Sequence, residues 1–171
     1  MASAASSCPM VLVLDVILFA FFLVLIVCAP LLDAQAALPS TLFPDPLLRI
    51  ASWYKDRFGD YLASERPFFF VGLVWHELFF IWPLAIANAY AMLARRSWFN
   101  TTCLILGSSL LTSMAAILGE LVLSGKASES LLKLYVPFAG FALLAFARGL
   151  MPCGCTSNPP ATSTNARKKR A

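Results

Sequence analysis

Residues 68–94 read FFFVGLVWHELFFIWPLAIANAYAMLA, an apolar run interrupted by His76, Glu77 and Pro83. A helix needs about 20 residues, at about 1.5 Å each, to cross about 30 Å of hydrocarbon, and this run is long enough. Working outward, three further runs of the same kind appear: residues 10–29 (MVLVLDVILFAFFLVLIVCA), 101–123 and 131–151. In lipid, backbone N–H and C=O groups must be satisfied internally, which makes these runs helices. Composition agrees. Of the 171 residues, 60% are hydrophobic and 13% charged, against about 25% charged and about 45–50% apolar in soluble domains. Mean hydropathy is +0.77. A soluble globule is excluded, and the length has room for one domain. The expected fold is an all-α integral membrane protein, an antiparallel four-transmembrane-helix bundle with a long capping loop between the first and second helices.

The connections set the topology. Pro9 and Pro30 read as start and stop of the first span. Residues 31–66 hold three prolines, Trp53, Tyr54 and most of the mixed charge, and read as a folded cap on the luminal side. Within it LLRIASWYKDRF (47–58) places Leu47, Leu48, Ile50, Ala51, Tyr54 and Phe58 at helical spacing, so a short amphipathic helix against the membrane face is expected. The turns at 95–98 and 125–130 are short, which forces antiparallel neighbours. The chain thus divides into a cytosolic N-terminus (1–9), a membrane domain (10–151) and a disordered basic cytosolic tail (152–171).

Lys and Arg near the span ends set the orientation. Arg95, Arg96, Arg148 and the tail lie on one side, Arg49, Lys55, Arg57, Arg66, Lys126 and Lys133 on the other. The totals are seven and six, but the adjacent Arg pair and the clustered tail make the first side cytosolic. Four of the positives behind the net charge of +4 sit in the last five residues, so the charge reports a tail and no nucleic-acid partner is expected. Lys168 and Lys169, in the terminal KKRA, occupy the positions of a dilysine retrieval signal of the endoplasmic reticulum; the alternative is a solvated basic tail drawn to anionic lipid. Ala34-Gln35-Ala36 has the shape of a signal-peptidase site. The absence of a basic n-region, the presence of Asp15 and the length of the apolar run argue for an uncleaved span. Five cysteines without a CxxC pair give no disulfide or zinc framework, and neither metal nor cofactor is expected. Cys153 and Cys155 are candidates for acylation. Asn100-Thr101-Thr102 is a glycosylation sequon at a cytosolic membrane edge and is expected to be unused.

An ionisable side chain inside a span costs about 2.5–3.5 kcal/mol on insertion scales, so each needs a reason. Asp15 lies near the cytosolic end of its span and is read as tolerated. Glu77 lies about ten residues into the second span, where it must be protonated or partnered. Asp33, just after Pro30, is the candidate partner, and a proton shared between the two carboxyls is the natural solution. His76 points about 100° away from Glu77 around the helix and reads first as a satisfied core histidine. Ser109, Thr112, Ser113, Ala116 and Glu120 share one face of the third span, either as small-residue packing or as the polar wall of a cavity. Pro83 is expected to kink the second span and open space beside Glu77.

At these residues the chain resembles the sigma-2 receptor family, small four-helix membrane proteins carrying an EXPERA domain. The match runs in order through LLDAQAALPSTLFP, WYKDRFGDYL, HELFFIWPL followed by AIANAYAML, and LYVPF, and is strongest over residues 31–94. The resemblance implies an intramembrane cavity closed by the first loop, binding sterols or other lipids and amphiphilic amines, in a homodimer of the endoplasmic reticulum membrane with both termini cytosolic. By matched position, Asp33 would accept a ligand ammonium and protonated Glu77 would hold it in place. Asp60 would be a structural acid, Tyr54 and Trp53 would frame the loop, and Tyr135 and Phe138 would line the cavity. Gln35 and His76 would border the pocket, and Thr112 would add a hydroxyl. His76 and Ile81 stand where the animal receptors carry other side chains.

Three functions follow from this reading. The first is a non-enzymatic sterol or lipid binder acting in sterol trafficking, with a sterol-transport membrane protein as a partner. The second is a sterol double-bond isomerase of the emopamil-binding type, with His76, Glu77 and Glu120 as proton carriers. That chemistry wants a His and a Glu one turn apart, whereas here they are adjacent. The third is an adaptor or chaperone for a larger membrane protein.

Overall fold

The computed structural model describes residues 9–151. The expectations for residues 1–8 and for the tail, with Cys153, Cys155, Lys168 and Lys169, fall outside the described residues. Every regular element is helical, and no strand occurs among the described residues. The helices are α1 (Pro9–Leu31), α2 (Asp45–Phe58), α3 (Tyr61–Glu65), α4 (Phe68–His76), α5 (Trp82–Leu93), α6 (Phe99–Leu123) and α7 (Glu129–Leu150). Two 3₁₀ turns, Asp33–Ala36 and Ser40–Leu42, precede α2, and a π turn, Glu77–Ile81, joins α4 to α5. Four stretches are long and apolar enough to cross a membrane: Met10–Ala36, Phe68–Leu93, Phe99–Leu123 and Glu129–Leu150. They are the four runs legible in the sequence, and the amphipathic segment is α2.

The core follows helical periodicity. On α1 the buried residues are Leu18, Phe21, Phe22, Leu25 and Ala29, one face of a 3.6-residue helix. On α6 they include Cys103, Leu106, Leu110, Met114, Ile117 and Leu121. The opposite faces carry exposed apolar residues such as Val16, Val27, Phe79, Leu123 and Leu143, as lipid-facing surfaces do. Helix α1 packs against α5 and α7, and α6 packs against both as well.

Small residues decide how close α6 and α7 come. A Cβ built on Gly107 would stand 2.3 Å from the Phe146 nitrogen, and one on Gly149 would stand 2.5 Å from the Leu104 nitrogen. Cys103 Sγ contacts the Ala145 carbonyl at 3.3 Å along the same seam. Without a hydrophobic driving force between helices in lipid, such close backbone approach is a main source of association.

The prolines act differently from expectation. Pro30 does not stop α1, which continues through it to Leu31 and tightens into the 3₁₀ turn carrying Asp33. Lacking an N–H, Pro30 cannot bond the carbonyl four residues back, that of Ile26. Trp82 Nε1 donates to that carbonyl instead, at 2.9 Å, and fastens the second span to the first. The irregularity expected at Pro83 takes the form of the π turn just before it, in which the Trp82 N–H reaches the Glu77 carbonyl five residues back.

Polar side chains are paired at the Asp15 end of the bundle. Asp15 takes two hydrogen bonds from Arg148, 2.6 Å to Nε and 3.3 Å to Nη2, and Arg148 Nη1 donates to Asn100 at 3.1 Å. The Asn100 amide also donates to the Met151 carbonyl, so the sequon side chain is engaged in the fold. Asn88, fully buried, donates to the Leu84 carbonyl and accepts from Thr102 at 2.8 Å.

The α6–α7 seam predicts that Gly107→Ala will be destabilising, by about 1–3 kcal/mol as for other overpacked sites. In α6 the Gly119 position has no atom within 4 Å of a built Cβ, so Gly119→Ala will be neutral or mildly stabilising. Thermal unfolding in detergent compares the two; equal melting temperatures would reject the seam.

Candidate functional site

A cavity of about 220 Å³ lies between the ends of the spans and the α2–α3 segment. Its wall is mostly apolar, with Leu25 and Leu32 from the first span, Phe70 and Ile81 from the second, Leu110 and Ile117 from α6 and Phe138 from α7. Each helix contributes residues three or four apart: Leu25, Cys28 and Leu32 on α1, and Leu110, Ser113, Met114 and Ile117 on α6. On the second span the lining runs Phe70, Leu73, Val74, Glu77 and Ile81, carried past Glu77 by the π turn.

Asp33 and Glu77 both line this cavity. Asp33 follows α1 in the 3₁₀ turn and is exposed, and Glu77 is half-buried. Neither carboxyl accepts a hydrogen bond from any N–H or hydroxyl among the described residues, so both are open to a donor brought from outside.

Asp60 is the opposite case. It is 1% exposed, and its carboxylate takes hydrogen bonds from Tyr54 at 2.9 Å, from Tyr135 at 3.0 Å and from the Ala63 N–H at 3.1 Å. The last of these caps α3. Gly59, at φ +64°, supplies the left-handed residue that ends α2 and turns the chain so that Asp60 lies below Tyr54. Burial, and then the Asp60 charge, hold the Tyr54 phenol well above its usual value, so it stays a donor. Gln35, 7% exposed, lines the cavity and spans the loop, donating to the Leu31 carbonyl at 2.7 Å and to that of Leu47 at 3.3 Å. The cap is fastened further by Tyr61 to Ser124, Ser128 to the Phe58 carbonyl and Lys126 to Glu65.

Of the residues singled out from the sequence, Asp33, Gln35, Tyr54, Asp60, Glu77, Tyr135 and Phe138 all meet in this cavity. Thr112, His76 and Trp53, also expected at the pocket, do not line it. Thr112 bonds the Ser108 carbonyl on the exposed side of α6, and its neighbour Ser113, about 100° round the helix, holds the inward position. His76 turns to Ser109, 2.9 Å from Nε2, and stacks on Phe80. Trp53 is 62% exposed on the outer face of α2. Among the polar and ionisable lining residues, two escaped the sequence reading, Cys28 and Lys55. Cys28 continues the Leu25–Leu32 face and was legible by spacing; Lys55 sits one residue from Tyr54, where spacing gives no signal.

The family model described as EXPERA (EXPanded EBP superfamily) matches residues 46–149, leaving all of α1 and Asp33 outside the match. "Sigma intracellular receptor 2" of Xenopus tropicalis is 30% identical over 110 residues, 64% of this chain and 64% of that protein. The proteins of the same name from Macaca fascicularis and Homo sapiens are 32% identical over 88 residues, 51% of this chain and 50% of each. The chain thus spans less than two thirds of the length of these curated relatives.

Removing the Asp60 carboxylate strands two phenols and uncaps α3. Asp60→Ala is expected to lower stability by about 3 kcal/mol or more, whereas Tyr135→Phe, losing one hydroxyl, should cost about 1 kcal/mol. Thermal melts of the purified protein compare them, and an Asp60→Ala variant as stable as the parent would refute the anchoring role.

Proposed function

We propose a function from the premise that this chain belongs to the EXPERA family, the expanded EBP superfamily: it is a sigma-2-receptor-like protein that binds sterols and cationic amphiphiles inside the membrane. The observation that carries this reading is the pair Asp33 and Glu77, both lining one largely apolar cavity and both without a hydrogen-bond donor among the described residues. A guest's hydrocarbon displaces apolar surface from water at about 25 cal/mol per Å², and its ammonium or hydroxyl supplies the missing donor. A proton shared between Glu77 and Asp33 would leave one net anion, which favours an ammonium over a hydroxyl. At about 220 Å³ the cavity is smaller than the roughly 300–1,000 Å³ of most ligand sites, so part of a sterol would extend beyond it.

Several finer features belong to the same reading. The four spans form an antiparallel bundle, with α2 and α3 as a luminal cap and both termini cytosolic. On α6 and α7 residue 100 meets 151, 104 meets 149 and 107 meets 146, which supports opposite directions for that pair. The protein resides in the endoplasmic reticulum membrane as a homodimer and acts in sterol or lipid trafficking, with a sterol-transport membrane protein as partner.

A sterol isomerase is supported less well. Of its three carriers only Glu77 lines the cavity: His76 is turned to Ser109, and Glu120 lies beside Tyr61. An acid that delivers a proton and a base that removes one must both reach the sterol. Incubating the purified protein with an unsaturated sterol is accordingly expected to leave the double bond in place; rapid migration, followed by mass spectrometry and NMR, would reverse this ranking.

Asp33→Asn is expected to weaken a cationic amphiphile by about tenfold to a hundredfold, the range of a lost charge-assisted bond. A neutral sterol should lose far less. Competition binding in nanodiscs measures both; equal losses would remove the charge from the explanation.

A further inference from the structure

A third charge in the cavity has no role in that function. Lys55 of α2 lines the same hollow as Asp33 and Glu77, is half-buried, and forms no ion pair among the described residues. Its neighbours Asp56 and Arg57 are exposed on the outer side of α2. The remaining cavity acid, Asp60, is occupied by Tyr54, Tyr135 and the Ala63 N–H. Lys55 is therefore a free cation facing the space in which two acids lack donors.

The charges are ordered by depth. The second span enters from the cap at Phe68, so Glu77, nine residues on, lies about 13 Å inside it at about 1.5 Å per residue. Ile81 lies one turn deeper, level with Leu25, since the Trp82 indole next to Ile81 bonds the Ile26 carbonyl next to Leu25. Asp33 lies past the end of α1, nearer the cap, and Lys55 belongs to the cap itself. From the inside outward the charged groups on the wall run from none beside Leu25 and Ile81, to acidic, to basic, amid apolar lining that continues to the cap at Ala51, Ala63 and Phe70.

Resting on the cationic-amphiphile reading, we propose that the preferred guest is a zwitterionic amphiphile whose ammonium lies between its hydrocarbon and a terminal anion such as a phosphate or sulfonate. Its hydrocarbon occupies the Leu25 and Ile81 end, its ammonium sits beside Asp33 and Glu77, and its anion meets the Lys55 ammonium. A head with the reverse order would set its anion against the two acids, where like charges in a poorly hydrated space repel. A simple ammonium fills the acids but leaves Lys55 unpaired. The order of charges in the head, more than net charge, then selects the guest.

Three probes of equal chain length test this in nanodiscs, below their micelle concentrations, by displacement of a fluorescent cationic amphiphile. They are an alkyltrimethylammonium, an alkyl sulfobetaine with the ammonium inside and the sulfonate outside, and an alkylphosphocholine with the opposite order. The sulfobetaine should bind about tenfold tighter than the trimethylammonium, the gain expected of one added charge-assisted bond, and the phosphocholine should bind most weakly. Lys55→Gln should abolish the sulfobetaine advantage without weakening the trimethylammonium, and Lys55→Arg should retain much of it. A sulfobetaine no tighter than the trimethylammonium, or an advantage that survives Lys55→Gln, overturns the zwitterion proposal alone. Failure of the trimethylammonium to bind overturns the cationic reading beneath it, and this proposal with it.

Discussion

Pro30 takes one backbone donor out of α1, and in lipid the orphaned Ile26 carbonyl has no water to turn to. The Trp82 indole answers it at 2.9 Å, across the seam between the first and second spans. Much of the site follows from that contact. It holds the end of α1 against the π turn, so that the 3₁₀ turn bearing Asp33 and the helix bearing Glu77 line one hollow. Trp82 is itself positioned by the irregular ladder ahead of Pro83. A regular α-helix through residues 77–82 would rotate Trp82 relative to Glu77 by one residue's turn, about 100°. Two defects in two helices, each costly alone, are thus reconciled by a single hydrogen bond.

The polar residues sort into two kinds by whether their partners lie within the chain. Asp60, Asn88, Asn100, Arg148 and Asp15 are bonded to named neighbours, and each ties one helix to another element. Such groups cost little once paired and fix the register of the bundle. Asp33, Glu77 and Lys55 are charged or acidic, line one cavity, and have no such partners among the described residues. An unpaired polar group in an apolar surrounding is destabilising. On the proposed function, a guest completes their arrangement.

Apolar run length made the four spans legible, since the hydrocarbon thickness imposes it whatever the packing. Glu77 was legible for the same reason, because a carboxyl in such a run is rare enough to stand out, and Asp33 was legible as the acid next after Pro30 that could partner it. The Asp15–Arg148 pair was not. The two residues lie 133 positions apart, and each alone reads as a charge near an interface. Thr112 against Ser113 was a question of helix rotation, which a stripe of small residues leaves open by one position. The effect of Pro30 was misjudged because a proline near a helix end stops the helix only when nothing satisfies the carbonyl it frees, and the residue that satisfies it, Trp82, is 56 positions away. Lys55 carried no signal at all, for a lysine in a short amphipathic helix is ordinarily a solvated one.

The cap explains how a dry cavity with unpaired acids remains compatible with a stable fold. Asp60 draws Tyr54 from α2 and Tyr135 from α7 to the same oxygen, so the cap and the last span are joined at the rim of the hollow, independently of its contents. Gln35 does the same between the turn after α1 and the Leu47 carbonyl. The walls are therefore preorganised, and the proposed guest would not have to supply the energy that assembles them. On that proposal it supplies the donor for Asp33 and Glu77. Because only the folded chain presents those acids together, a molecule that bound them would add to stability in proportion to its occupancy. Recognition and the relief of an internal electrostatic cost would then be one interaction.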